Sequence, residues 1–247
     1  MREKKIPVAL QLYSVRDVIA EDMRGTLKAV ADMGYEGVEF AGYYGFTPAE
    51  LRAMLDDCGL VCAGSHTGLH MFADDLFDET VEMNRSLGTD RMIIPTGLPF
   101  KNMAAAIETA MQVYDRCKAA GMRTGFHNHV AEFKVEDGMT RLDRLFAGTP
   151  DDFLVQCDIG WATAAGADVP AFLRKYASRL ETVHVKEHSE NMPTATVGEG
   201  VVDWPSVFDI LEKETAVQWY IVEQEQYAVT SLTSARDCID SIRKMGR

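Results

Sequence analysis

The sequence predicts an α/β fold, a single (β/α)8 TIM barrel, with residues 1–247 as one domain. Three observations predict it. Short β-branched or apolar runs alternate with helical patterns to the end of the chain, and strands separated by helices pair in parallel through right-handed crossovers. The length of 247 residues is near the roughly 250 typical of one closed barrel. No Gly-x-Gly-x-x-Gly loop follows any strand, which argues against an open dinucleotide-binding sheet.

The first strand reads Ile6 to Tyr13, and a helix from Asp22 to Met33 follows, stopped by Gly34. The second strand is Gly37 to Phe40. Its helix has a marked start: Thr47 as N-cap, Pro48 in the first turn and Glu50 three residues on, a capping box that satisfies orphan N–H groups. Gly59 ends that helix by supplying a left-handed residue. Leu60 to Ser65 is the third strand, followed by a helix from Leu76 to Leu87 that stops at Gly88. Arg91 to Pro95 is the fourth, with an Ala-rich helix from Asn102 to Ala120. The fifth strand, Arg123 to His129, precedes a short helix from Thr140 to Phe146. The sixth, Phe153 to Ile159, precedes a helix opened by Asp168 and Pro170. The seventh, Glu181 to Lys186, precedes a helix opened by Asp203 and Pro205. Gln218 to Glu223 is the eighth, and a helix from Thr230 to Met245 closes the pattern.

A net charge of -13 repels phosphate backbones and anionic lipid heads, so neither nucleic acid nor a membrane is the expected partner. No apolar run approaches the roughly 20 residues that span a bilayer, and no leader-like apolar stretch follows the charged start. The expectation is a soluble cytoplasmic chain. Its five cysteines form no Cys-x-x-Cys pair and read as free thiols in a reducing compartment. Loops at a barrel mouth also pair subunits, so a homo-oligomer is compatible with this reading.

In such a barrel, chemistry is carried at the carboxyl ends of the strands. Those ends are polar here. The first carries Gln11 and Tyr13, the second Glu39, and the third leads into His66 and His70. The fifth ends in His127-Asn128-His129, then Glu132; the sixth in Asp158, then Trp161; the seventh carries His184, Lys186, Glu187 and His188; the eighth ends in Glu223 and Glu225. All six histidines fall on this rim and none on a predicted helix. Any one alone reads as a structural histidine; a cluster of His, Asp and Glu at one mouth reads as a metal or acid–base site. Glu132, Asp158, His184 and Glu223 come from four consecutive strands, and such a set suits Mn2+, Mg2+ or Co2+, with Zn2+ also possible.

These residues carry a resemblance. The chain resembles the sugar phosphate isomerase/epimerase family of the xylose-isomerase-like barrels. The matching pieces are Leu10 to Asp17, Gly37-Val38-Glu39-Phe40, Ser65-His66-Thr67-Gly68 and Phe126-His127-Asn128-His129 with Glu132-Phe133. Further on come Asp158-Ile159-Gly160-Trp161, His184-Val185-Lys186, Gly198-Glu199-Gly200 with Asp203-Trp204, and Ile221-Val222-Glu223-Gln224. The resemblance implies a divalent metal held by a carboxylate of strand five, an Asp of six, a His of seven and a carboxylate of eight. Those positions map to Glu132, Asp158, His184 and Glu223, with His129 as the alternative to Glu132.

The implied chemistry is removal of the proton beside a carbonyl of a small keto sugar, through an enediolate. Return of the proton gives epimerisation or isomerisation; loss of a β-oxygen makes the enzyme a lyase or dehydratase of an inosose or 3-keto-glycoside. Candidates for proton transfer are Glu132, Glu223, His127, His129, His66 and Lys186, the lysine also serving as an oxyanion partner or in a salt bridge. Tyr13, Glu39, Trp161, His188 and Glu199 are candidates for contact with substrate, Glu39 as a partner standing behind a ligand. Phe40, Phe72 and Trp204 join Tyr13 and Trp161 as an apolar wall or as core. A non-catalytic or partner-dependent sugar-binding subunit is a further reading. A nuclease similar to the AP endonucleases that share this barrel needs a basic groove, which this acidic chain lacks.

Overall fold

The structure, a computed structural model, describes residues 5–247. Met1 to Lys4, with which the charged start begins, lie outside the described residues. The alternation produces the expected closed sheet. Its strands are β1 (Val8–Gln11), β2 (Gly37–Phe40), β3 (Val61–His66), β4 (Arg91–Ile94), β5 (Arg123–His127), β6 (Leu154–Asp158), β7 (Thr182–Val185) and β8 (Trp219–Val222). They run β1-β8-β7-β6-β5-β4-β3-β2 around the barrel, every pair parallel.

Between them lie α1 (Met23–Met33), α2 (Pro48–Cys58), α3 (Phe77–Leu87), α4 (Met103–Ala119), α5 (Arg141–Ala147), α6 (Val169–Lys175) and α7 (Trp204–Glu214), with α8 (Ser231–Lys244) after β8. The Thr47–Glu50 capping box forms, and Gly34, Gly59 and Gly88 end their helices at positive φ. Asp22, Asn102, Thr140, Asp168, Asp203 and Thr230 each accept a backbone N–H of the first turn, as capping chemistry requires.

The strands are shorter than the apolar runs suggest, because 3-10 turns intervene at the mouth. β1 stops at Gln11 and a turn covers Leu12–Val15; β5 stops at His127 and a turn covers Val130–Phe133. His70 sits in a third such turn, Leu69–Phe72. Short helices Arg16–Ile19 and Ile159–Ala164, and a ribbon of Val135–Glu136 with Met139–Thr140, complete the described elements.

The large apolar core lies between the sheet and the helices. Inside the barrel the amino half holds a separate small cluster, Ala9, Ala63 and Ile221, packed against Trp219. Gly125 lets β5 close on β6, since a Cβ there would lie 2.2 Å from the Leu154 carbonyl oxygen. At the amino ends of the strands Glu181 accepts hydrogen bonds from Arg91 and Arg123, and Asp90 holds the other side of Arg123. That ionic plug leaves the carboxyl half as the open end. Register then aligns the inward residues: Gln11 lies beside Glu39, and Asp158 beside His184.

Candidate functional site

The carboxyl half of the barrel interior is polar and connected. Glu39 is fully buried and accepts at both oxygens: Gln156 Nε2 donates to Oε1 at 2.7 Å, while Gln11 Nε2 donates to Oε2 at 2.7 Å. Room for this carboxylate comes from a register shift between Val38 and Glu39 and from Gly64, where a Cβ would stand 3.3 Å from Glu39 Oε1. His184 Nε2 lies 2.7 Å from Glu39 Oε2 and its Nδ1 lies 2.6 Å from Glu223 Oε2. Ionised carboxylates only accept, so both ring nitrogens donate. Burial works against the charge on His184, but Glu39 and Glu223 raise its pKa to about 10. Burial also opposes ionisation of Glu39 and Glu223. His66 and His184 nonetheless hold Glu39 below the usual carboxylate range, and Lys186 and His184 hold Glu223 well below it.

His127, Asp158, His184 and Glu223 offer ligand atoms that all lie within 4.8 Å of one another, from four neighbouring strands. Two atoms of this group are buried with no hydrogen-bond partner, His127 Nδ1 and Asp158 Oδ2. Stranding a buried polar atom is costly unless something else coordinates it. Burial pushes Asp158 up to about 7, and burial with the neighbouring imidazoles pushes His127 well below its ordinary value, so its ring is neutral. A neutral imidazole, an orphaned carboxylate oxygen, a second imidazole and a carboxylate make a donor set that fits a divalent ion. Glu39 behind His184 is the carboxylate that ligating histidines characteristically lean on. Asn128 ties the two strand ends together, donating to the Asp158 carbonyl oxygen and accepting the Asp158 N–H.

Glu132 stands outside the group. β5 ends before it, and its carboxylate accepts the His129 N–H at 2.8 Å, capping the turn Val130–Phe133. At the β5 position the structure presents His127 in its place. His129 is not among the four either; it lines a cavity of about 330 Å³ at the mouth with Tyr13, His66, His127 and Glu223. A second cavity of about 200 Å³ is lined by Trp161, Lys186, Glu187 and His188, and Glu225 lines both. Lys186 donates to Glu225, and its ammonium stands 4.7 Å from the centre of the Trp161 ring. Burial would lower the Lys186 pKa, but Glu223, Asp158 and Glu225 raise it.

Glu199 is exposed and caps its own loop, accepting from the Thr196 N–H and hydroxyl. Phe40, Phe72 and Trp204 are core; of the five wall candidates, Tyr13 and Trp161 reach the cavities. Glu187 organises the loop after β7: it accepts from the N–H groups of His188, Gly198 and Val202 and from Trp204 Nε1.

Sequence reasoning passed over Gln156 and gave Gln11, Asn128 and Glu225 no role. The signal for Gln156 is the two-residue period of a strand: it stands two before Asp158 and so faces the same interior.

Residues 27–245 match the xylose isomerase-like TIM barrel family, and the chain belongs to it. Among curated relatives it is 23% identical to an inosose dehydratase of Geobacillus kaustophilus, over 87% of this chain and 86% of that one. It is 24% identical to an inosose dehydratase of Serratia proteamaculans, over 78% and 79%. Among solved structures it superposes on a sugar phosphate isomerase/epimerase of Parabacteroides distasonis with a TM-score of 0.83, 23% identity and coverage of 97% and 98%. No described helix is long and apolar enough to cross a membrane.

Proposed function

We propose that this chain is a divalent-metal-dependent sugar isomerase or epimerase that removes the proton beside the carbonyl of a keto sugar or related polyhydroxy ketone. The observation that carries this reading is the group His127, Asp158, His184 and Glu223, with orphaned buried atoms on His127 and Asp158. A bound divalent ion would supply Lewis acidity, lowering the pKa of the C–H beside the carbonyl. The chain's own residues do the rest. Glu39 accepts the His184 Nε2–H and so keeps Nδ1 turned toward the group. Glu223, held ionised in the wall of the larger cavity, takes the proton from carbon. Return of that proton to the neighbouring carbon gives isomerisation, and delivery of a proton to the opposite face gives epimerisation.

A second reading, dehydration, is favoured by Lys186 and by the inosose dehydratases among the relatives. Lys186 is buried, protonated and in the wall of the adjoining cavity. In this reading Glu223 takes the carbon-bound proton, the electron pair forms the new C=C bond, and the C–O bond β to the carbonyl breaks. The hydroxyl leaves as water with a proton from Lys186.

The test is incubation with Mn2+ in D2O against a panel of keto sugars and inososes. Deuterium at the carbon beside the carbonyl supports proton abstraction, and the product separates isomer, epimer and dehydration. A protein that takes up no Mn2+, Co2+, Mg2+ or Zn2+, or whose exchange rate is untouched by Glu223→Gln, overturns it.

A further inference from the structure

The amide of Gln156 has one orientation open to it. Its Nε2 stands 2.7 Å from Glu39 Oε1 and 2.9 Å from Thr182 Oγ1. Glu39 is ionised and only accepts, so the group facing it must be the donating NH2. That leaves Gln156 Oε1, an acceptor, 2.7 Å from His66 Nε2. Glu39 Oε2, also an acceptor, is 3.3 Å from the same nitrogen. Two acceptors converge on Nε2, so Nε2 carries the hydrogen. The other ring nitrogen, Nδ1, is the polar atom His66 has left for the cavity it lines with Tyr13, Thr96 and Glu223. The ring itself is clamped, lying parallel to His184 at 5.0 Å between centroids.

We propose that Gln156 is a positioning residue: it locks His66 in the Nε2–H form, so that Nδ1 presents a lone pair to the cavity and accepts a hydrogen bond from a substrate hydroxyl. The inference rests on the function proposed above for the substrate class, a hydroxylated ketone, and on geometry alone for the tautomer. The chain of contacts runs Glu39 to Gln156 to His66 to substrate. The carboxylate behind His184 thereby also sets which ring nitrogen His66 shows, and one buried anion orients both sides of the cavity. Such an acceptor selects for a hydroxyl: an analogue with hydrogen or a methyl group at that carbon leaves the lone pair unmatched.

Histidine side-chain 15N spectra of the Mg2+-loaded protein decide the tautomer, with the His66 signals assigned by their loss in His66→Asn. The expected pattern is an unprotonated Nδ1 and a protonated Nε2. In Gln156→Leu the pattern moves toward a mixture of tautomers. In the D2O exchange assay that variant raises KM about three- to tenfold, the worth of one hydrogen bond, with a smaller change in kcat. A wild-type spectrum with the proton on Nδ1, or on both nitrogens, overturns the inference, and so does a Gln156→Leu protein with unchanged tautomer and KM. If that variant does not fold, the wild-type spectrum still decides. The two readings fail separately. The expected tautomer without any exchange sinks the enzymatic reading and leaves the lock standing, whereas exchange with a protonated Nδ1 sinks only the lock.

Discussion

Replacing Glu39 by Gln changes one oxygen for an NH2 and leaves the shape intact, which makes it the sharpest probe of the buried network. Glu39 has no exposed surface and four N–H groups point at it: Gln11 Nε2, His184 Nε2 and His66 Nε2 around Oε2, and Gln156 Nε2 at Oε1. In either orientation the new NH2 faces at least one donor. Turned toward Gln156, it forces that amide to flip, so that the Gln156 NH2 meets the His66 Nε2–H; turned the other way, it confronts Gln11 and His184. The substitution also removes one partner of a buried ion pair, which costs about 3–5 kcal/mol. For a chain of this length each kcal/mol moves Tm by about 2–4 °C, so E39Q in chelator is expected to melt about 6–20 °C below wild type. Removing the partner behind a ligating histidine further weakens metal binding by about 10–100-fold. Scanning calorimetry in EDTA and a Mn2+ titration read the two effects. An E39Q protein that melts within about 2 °C of wild type and binds Mn2+ equally well refutes the assignment of Glu39 as organiser of the site.

Asp158→Asn should have opposite effects on fold and site. Burial raises Asp158 to about 7, above its unfolded value, so its contribution to stability is lost as pH rises through about 7. At pH 8 in EDTA the Asn protein is therefore expected to melt higher than wild type, while its Mn2+ affinity falls by more than about 100-fold, beyond the loss expected for a partner behind a ligand. Metal binding should release protons: His184, raised to about 10, must give one up across the neutral range, and Asp158 adds another below about 7. Apparent Mn2+ affinity by calorimetry should thus fall about tenfold per unit from pH 8 to 7 and more steeply from 7 to 6; a flat profile contradicts the ligand set. Glu187→Ala strips four N–H groups of their acceptor. Amide hydrogen exchange in segment 188–203 is expected to accelerate at least about tenfold, each bond to a charged acceptor being worth about 1.5–3 kcal/mol, with exchange at β1 and β2 unchanged.

The fold was legible because its signals are local and repeated. A cap such as Thr47 with Glu50, or a stop such as Gly59, is decided within a few residues, and eight such units leave few ways to close a sheet. Counting strand ends in the sequence brings Asp158, His184 and Glu223 to one barrel mouth, and in the structure their ligand atoms lie within 4.8 Å of one another. The fifth strand is where the sequence reading and the geometry part, because its apolar and histidine-rich run continues past the point where the backbone turns. His127 is the last residue of β5 and faces inward; Glu132 lies in a 3-10 turn whose own N–H groups need an acceptor. A carboxylate is the expected hard-metal ligand, and the imidazole weighed as its alternative was His129, two residues beyond the His127 that the structure brings to the group. Gln156 was invisible for a different reason. An amide has no charge to mark it, and its role exists only once β2, β3 and β6 are brought around one axis.

The charges of the wall explain how this barrel end can exist at all before a cation reaches it. Three carboxylates, Glu39, Glu223 and Glu225, face two cations, His184 and Lys186, while burial pushes Asp158 up to about 7. A divalent ion would bring two positive charges and would displace the His184 proton together with any proton held on Asp158, so the net charge of the wall would shift by no more than about one unit. The imidazolium between Glu39 and Glu223 therefore balances charge in the same place as the metal would, and its hydrogen bonds keep both carboxylates satisfied. A site built on that exchange does not depend on metal for its shape, unlike a zinc finger, whose folding energy is its metal. EDTA should accordingly strip the ion and leave the far-ultraviolet circular dichroism unchanged, whereas collapse of the barrel on chelation would mean that the charges of the wall do not balance as these contacts require.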